Sequence, residues 1–509
     1  MNRTRNSLLN ISTGLIWQVL SLVVGFVVRS VFIYQLGATY LGLSGLFGNI
    51  LSILSFTELG FGQAIIFALY KPIAENNIEK IAQLMALFRR IYNWMFVIVA
   101  VLGTSLTPFL NFFINKPVDI PHLTIIYLLY VTANATSYLF RYNNSLLFAS
   151  QKTYISTIIS YYFTLGSALL QVVILILWKD FIAYLLVTVI SGILQNIIIS
   201  LKVRKIYPFL KTMRSAKLPK SDTDKIKKDV KALVIYKIGT LSLNSTDNII
   251  ISKFVGLIVV GLYSNYLLLC SSISGFLGTI FSNITASIGH MNATESDEYK
   301  TEMFFKIDMA TFWFYGLTSI CLYTCMSPFV LFWLGPDYVL SDATCFIIAF
   351  NQYIGGMLYS SFNYRQTMGL FQQGKMRPIV SAILNIVLSV ILAIYFGLPG
   401  VLWGTALTRL LTNVWFDPYI VFKRGLKKNP LIYFKNYSFK LAIFVITALT
   451  CNAVSKLFHM PPFLNLLAIL IMTLLISFSF FLIIFGNTSE SKYLWSTARN
   501  SIKIIRSKT

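Results

Sequence analysis

The stretch Gly14–Leu36, GLIWQVLSLVVGFVVRSVFIYQL, decides the class of this protein. Its 23 residues carry a single charge, Arg29. At about 1.5 Å per residue, a helix of that length crosses the ~30 Å hydrocarbon core of a bilayer. It is too long for the apolar region of a cleaved leader, which runs about 7–15 residues, and another apolar block follows, so it reads as a retained first membrane helix. The same pattern recurs along all 509 residues. Windows of about 19 residues give fourteen spans, at 11–36, 42–70, 83–114, 122–149, 156–178, 181–201, 231–254, 258–286, 304–333, 342–372, 378–396, 400–422, 437–456 and 462–486. With 56% hydrophobic and 12% charged side chains, the chain is a polytopic membrane protein. That composition excludes a secreted globular enzyme. The 5 cysteines have no metal-ligand spacing and no disulfide framework.

Charge then orients the spans. The 42 Lys and Arg outnumber the 18 Asp and Glu, for a net charge of +24. Most of the basic residues lie at the N-terminus, after even-numbered spans and in the C-terminal tail. The loops after odd-numbered spans hold only Lys116, Lys179, Lys253 and Lys456. Basic residues stay on the cytoplasmic side, so both termini are expected there. The densest basic run, Lys202–Lys231, joins the sixth and seventh spans. It reads as a topogenic linker, with anionic membrane lipids or a cytoplasmic protein as the alternative contact. No nucleic-acid module accompanies the charge, so no nucleic-acid partner is expected.

The chain also repeats itself at a shift of about 220 residues. LGATYLGLSGL (Leu36–Leu46) resembles VGLIVVGLYSN (Val255–Asn265), placing Gly37 on Gly256 and Gly42 on Gly261. Pro108 in SLTPFLNFFIN corresponds to Pro328 in CMSPFVLFWLG, and SLLFASQK corresponds to MGLFQQGK. A repeat of six spans, an even number, enters the membrane from the same side twice, as in transporters built from parallel repeats. The expected fold is all-α, with 14 transmembrane helices as two six-helix bundles in parallel repeat plus two C-terminal helices. The segments are an N-terminal bundle (1–201), a basic cytoplasmic linker (202–230), a C-terminal bundle (231–422), a second linker (423–436), two extra helices (437–486) and a basic cytoplasmic tail (487–509).

Ionisable residues at membrane depth mark functional positions. Arg29, Arg141, Arg365, Arg409 and Lys237 lie inside proposed spans and form an expected anion-binding set. Snorkelling to an interface is the competing reading, strongest for Lys237 and Arg29. The intramembrane acids are Glu58, Asp247 and Asp417; the first two are candidates for ion coupling or for pairing with an arginine. Tyr138, Tyr142, Asn143 and Asn144 on the fourth span, and Tyr359, Asn363 and Tyr364 on the tenth, are expected to line a cavity and contact sugar. Interhelical hydrogen bonding is the alternative for each. Pro108 and Pro328 are expected to kink the third and ninth spans near their outer ends. No catalytic motif, metal cluster or phosphate loop is present: GLSGLFG (Gly42–Gly48) lacks the Lys-Ser/Thr of a Walker loop. The expectation is a transporter without a cofactor, driven by a sodium or proton gradient, the membrane potential or the substrate itself.

The pieces LGATYLGLSGLF (Leu36–Phe47), ELGFGQAI (Glu58–Ile65) and LYKP (Leu69–Pro72) resemble the opening of bacterial polysaccharide flippases. These belong to the multidrug/oligosaccharidyl-lipid/polysaccharide transporter superfamily and have a MATE-like fold. The specific motifs cover about the first 90 residues, with a fainter equivalent after Phe254. The resemblance implies a bacterial plasma-membrane protein that moves undecaprenyl-pyrophosphate-linked oligosaccharide repeat units to the outer leaflet. Their use is capsule or exopolysaccharide synthesis, alongside the polysaccharide synthesis machinery. Lipid II flippases share the fold, and their two extra C-terminal helices form a lipid groove. A MATE-type exporter and a membrane glycan polymerase are the remaining alternatives.

Overall fold

Glycine breaks, in place of loops, divide the longest helices. The computed structural model describes residues 3–54, 61–114, 120–212, 246–370, 374 and 376–506. Helix α1 (Arg3–Leu54) is interrupted at Gly37, whose φ of 79° and ψ of −177° suit a residue without Cβ. Among the described residues every regular element is helical, as a bilayer demands of chain segments that must satisfy their own backbone hydrogen bonds.

The chain forms two compact units, Met1–Gly261 and Leu262–Thr509. The first contains α1, α2 (Phe61–Ala74), α3 (Ile78–Ser105), α4 (Leu123–Ser137), α5 (Tyr142–Ala149), α6 (Thr153–Leu177), α7 (Phe181–Ile206), the short α8 (Phe209–Thr212) and α9 (Asp247–Phe254). Side-chain caps fix two of the helix starts. Asn77 accepts the Lys80 N–H at 2.9 Å, and Asp180 accepts those of Ile182 and Ala183 at 2.7 and 3.2 Å. Helix α10 (Leu257–Thr294) runs across the division. The second unit continues with α11 (Asp297–Thr311), a π turn at Phe312–Gly316, α12 (Leu317–Leu334), α13 (Asp342–Thr367) and α14 (Arg377–Ile420). It ends with α15 (Leu431–Ser455), α16 (Pro462–Phe485) and α17 (Ser489–Arg506). Helix α14 is broken at Gly397, with φ 60° and ψ −135°.

Beside a mainly apolar core, many large apolar side chains face outward and several polar and charged ones are buried. Val19, Leu169, Leu177, Ile383 and Ile483 are exposed, while Asn265, Asn385, Arg365, Asp417 and Lys440 are buried. An apolar solvent produces this arrangement. Nine helices among the described residues are long and apolar enough to cross a membrane, or ten when the bent pair α4 and α5 counts as one. Two of the nine, Val19–Leu54 and Arg377–Gly425, each contain one of the glycine breaks. The expected span 231–254 lies mostly outside the described residues.

Local differences from the sequence reading have clear causes. The fourth span is two helices bent by 40°. The bend passes through Phe140, whose φ is 66°, a left-handed conformation that interrupts a helix. The third span leaves α-geometry at Ser105, and Pro108 sits in the 3-10 turn Thr107–Phe113 that follows. At the start of a turn its missing N–H costs nothing. Pro328 lies inside α12. The C-terminal tail contains the amphipathic helix α17, whose Trp495 meets Trp313 edge-on at 5.5 Å and Phe478 at 5.9 Å.

Two glycines aligned with each other in the sequence, Gly42 and Gly261, pack against one another's helices within the first unit. A Cβ placed on Gly42 would collide with the Leu257 carbonyl and reach the Gly261 backbone. One placed on Gly261 would collide with the Ala38 carbonyl and reach the Gly42 backbone. Residues 38 and 257, like 42 and 261, are 219 apart, so the approach is reciprocal. Small residues permit this backbone proximity between membrane helices.

Candidate functional site

The interior of the second unit holds two buried ion-paired clusters and the arginine Arg409. Arg365, in the last turn of α13, is buried and donates from Nη1 to Asp417 Oδ1 at 2.7 Å. Its Nε donates to the Leu370 carbonyl at 3.1 Å. Arg377, the first residue of α14, pairs with the other carboxylate oxygen of Asp417. Both guanidinium carbons lie 5.8 Å from the centroid of the Phe416 ring, a favourable cation–π distance. The acid on the twelfth proposed span is therefore the partner of the arginine on the tenth.

The second cluster has no precedent in the sequence reading. Lys440 of α15 donates to Asp308 Oδ2 of α11 at 2.6 Å, and both side chains are 1% exposed. The hydroxyls of Tyr353, Tyr433 and Tyr437, all buried, have no hydrogen-bond partner, and neither has Asp308 Oδ1. Orphaned groups of this kind are costly unless water reaches them. Lys440 stands three residues inside the proposed span 437–456 and Asp308 four inside 304–333. Their proximity to span ends disguised them as interfacial charges.

Arg409, in the second half of α14, donates from Nη1 to the Asn351 carbonyl of α13 at 2.8 Å. Gly355 leaves room for its guanidinium, since a Cβ there would stand 3.2 Å from Nη1. On the same helix α13, Tyr359 donates to the Phe281 carbonyl and shares a 3.0 Å hydrogen bond with Thr285. Asn363 accepts from Thr285 at 3.0 Å, and Tyr364 donates to the Lys300 carbonyl at 3.1 Å. These three side chains fasten α13 to α10 and α11. Beside them, α10, α11 and α17 line a half-open cavity of about 510 Å³. Its walls are mainly apolar, including Phe281, Ile288 and Met303, and Lys306 and Glu295 supply charge. Lys306 bonds Glu302 at 2.6 Å and lies 4.2 Å from the centroid of the Tyr493 ring. The volume falls within the ~300–1,000 Å³ typical of small-molecule sites.

In the first unit, Arg29 is half-buried on α1 and Arg141 is exposed immediately before α5. Tyr138 and Tyr142 belong to an apolar core with Phe88, Tyr92 and Leu146. Asn143 donates to the Phe140 carbonyl at 2.8 Å, within its own turn, and Asn144 Oδ1 is buried without a partner. Asp247 is buried in the first turn of α9. Glu58 and Lys237 lie outside the described residues. The fourth-span set thus belongs to one bend of the chain, whereas Tyr359, Asn363 and Tyr364 bridge helices.

Among the described residues, no group of three or more His, Cys, Asp or Glu side chains could hold a metal ion. No protein-family model matches the chain, and no curated protein matches it in sequence. Solved structures do. An inward-facing multidrug resistance MATE transporter of the MOP superfamily matches with a TM-score of 0.65 and 12% identity, over 80% of this chain and 95% of its own. The lipid II flippase MurJ, in an inward closed conformation, matches with a TM-score of 0.64 and 14% identity, over 94% of this chain and 99% of its own. The Vibrio cholerae MATE transporter VcmN matches with a TM-score of 0.56 and 15% identity, over 83% and 99%. The chain is a multi-pass membrane protein with the fold of MATE- and MurJ-type transporters of the MOP superfamily.

Proposed function

We propose that the protein is a flippase for a polyprenyl-diphosphate-linked saccharide, moving its polar headgroup from the inner to the outer leaflet of a bacterial plasma membrane. The observation that carries this reading is the extent of the likeness to the lipid II flippase, 94% of this chain against 80% and 83% for the two MATE transporters. A lipid II-type peptidoglycan precursor is accordingly the favoured substrate. The motifs between Leu36 and Pro72 support a second reading, an oligosaccharide repeat unit for capsule or exopolysaccharide. Both substrates present the same diphosphate to the protein.

Arg29 and Arg141 of the first unit, with Lys237, and Arg409 of the second are each proposed to contact the diphosphate at some stage of its passage. A guanidinium can take two phosphate oxygens at once and stays charged at membrane depth. Arg365 is already committed to Asp417. Fourteen spans in two parallel repeats, cytoplasmic termini and coupling to sodium or protons complete the proposal. In proteoliposomes carrying a fluorescent lipid-linked glycan, Arg409→Gln should slow translocation about tenfold to a hundredfold. That corresponds to one charge-assisted hydrogen bond of about 1.5–3 kcal/mol. A rate unchanged in both Arg409→Gln and Arg141→Gln removes these arginines from the mechanism.

A further inference from the structure

We infer that the groove between α10 and α11 of the second unit holds one acyl chain of a phosphatidylethanolamine, with the ammonium of its headgroup at Glu295. Phe281, Ile288 and Met291 recur at helical spacing along one face of α10, and Tyr299, Met303 and Ala310 along one face of α11. Both faces line the half-open cavity of about 510 Å³, and Tyr493 and Leu494 of α17 form its third wall. The two helices are joined directly through Glu295 and Ser296, so Glu295 and Tyr299 mark one end of the groove. Phe281 and Ala310 mark the other, where they pack with the buried Leu277 and Tyr315. Lys306 also lines the wall, but its Nζ is matched by Glu302 at 2.6 Å and lies over the Tyr493 ring. It therefore brings no unmatched charge into the groove.

Dimensions and chemistry together select the occupant. From Tyr299 to Ala310 a helix rises about 16 Å, which gives a cavity of 510 Å³ a mean cross-section of about 30 Å². That is the calibre of a single hydrocarbon chain, and an α-helix, about 10 Å across, is too thick for it. At the ~30 Å³ share of a water-sized group, the space takes about 17 methylenes. This matches one acyl chain and is several times too small for a polyprenyl tail. Met291 and Met303 are unbranched and polarisable, and adapt to such a chain. At the mouth, Asp297 is paired with Lys300 and Lys427, and Glu298 with Lys428. Glu295 is exposed and, among the described residues, enters no ion pair. With the exposed ring of Tyr299 at the same end, it favours an ammonium head over an anionic one. The site does not depend on the transport reading, because its residues are distinct from the proposed diphosphate contacts.

The test is native mass spectrometry of the full chain, delipidated in neutral detergent and then offered phosphatidylethanolamine, phosphatidylglycerol or undecaprenyl phosphate. A phosphatidylethanolamine with a diazirine at the end of its acyl chain locates the site by photo-crosslinking. The parent should retain one phosphatidylethanolamine, in about tenfold preference to phosphatidylglycerol, with adducts near Phe281 and Ala310. Ser287→Phe places a ring in the groove and should cut retention about tenfold or more. If it does not fold, Ser287→Leu narrows the same space and should still bind more weakly than the parent. Glu295→Gln should keep the lipid but lose the preference for the ammonium head. Ile483→Phe, at an exposed position of α16, should behave as the parent does. A parent that retains no lipid, adducts spread over the exposed faces of other helices, or equal retention by the Ser287 variant overturns the inference. So does preferential retention of undecaprenyl phosphate, which assigns the groove to a polyprenyl chain, or an unchanged headgroup preference in Glu295→Gln.

Discussion

Lys440→Met is expected to destabilise the second unit by about 3–5 kcal/mol, because it strands the Asp308 carboxylate in an environment with almost no solvent contact. The pair joins α11 to α15 across 132 residues of sequence, so losing it also loosens the attachment of the two C-terminal membrane helices. Asp308→Asn combined with Lys440→Met removes both charges and should recover most of that loss, since a buried pair gives little net stability over an uncharged one. Unfolding of the purified variants in detergent measures both effects. Equal instability of the single and double variants would show that packing, and not the uncompensated charge, is responsible. Tyr433→Phe supplies a further check. Its hydroxyl has no partner, so deleting it should be neutral or stabilising.

Gly42→Leu is expected to prevent correct packing of the first unit, with a cost at or above the ~1–3 kcal/mol typical of overpacking. The obstacle is the Leu257 carbonyl, part of a helix backbone that cannot rotate aside as a side chain can. Gly261→Leu should match it, given the reciprocal contact with Ala38. Gly48→Ala is the control: nothing lies within 4 Å of its Cβ position, and alanine favours a helix by up to ~1 kcal/mol over glycine. Yield of monodisperse protein and its melting temperature distinguish the three. A Gly42→Leu variant that melts with the parent would remove the close crossing from the account.

These contrasts show which features a sequence displays and which require the fold. Membrane class was legible in Gly14–Leu36 because apolar length is a local property. Gly37 and Gly256, aligned with each other in the sequence, both adopt positive φ, 79° and 140°, which explains why glycine stands at each. Arg365 was recognisable as a buried charge, but its union with Asp417 and Arg377 was not. Residues 52 apart in sequence meet only once helix rotation and packing are set. Asp308 and Lys440 were missed for a related reason. A charge within one turn of a proposed span end is ordinarily interfacial, and only the packing of α11 against α15 places these two in the interior. Tyr359 and Asn363 were legible as polar helix residues. Their hydrogen bonds to α10 show that fastening helices together is part of their work.

The most direct test of the proposed function is a two-leaflet translocation assay on the full chain in proteoliposomes. Lipid II, an undecaprenyl-diphosphate oligosaccharide and a small cationic dye would be offered in parallel. The account predicts protein-dependent movement of at least one of the two lipid-linked saccharides, with lipid II favoured, and none of the dye. Movement of the dye without either lipid-linked saccharide would contradict it.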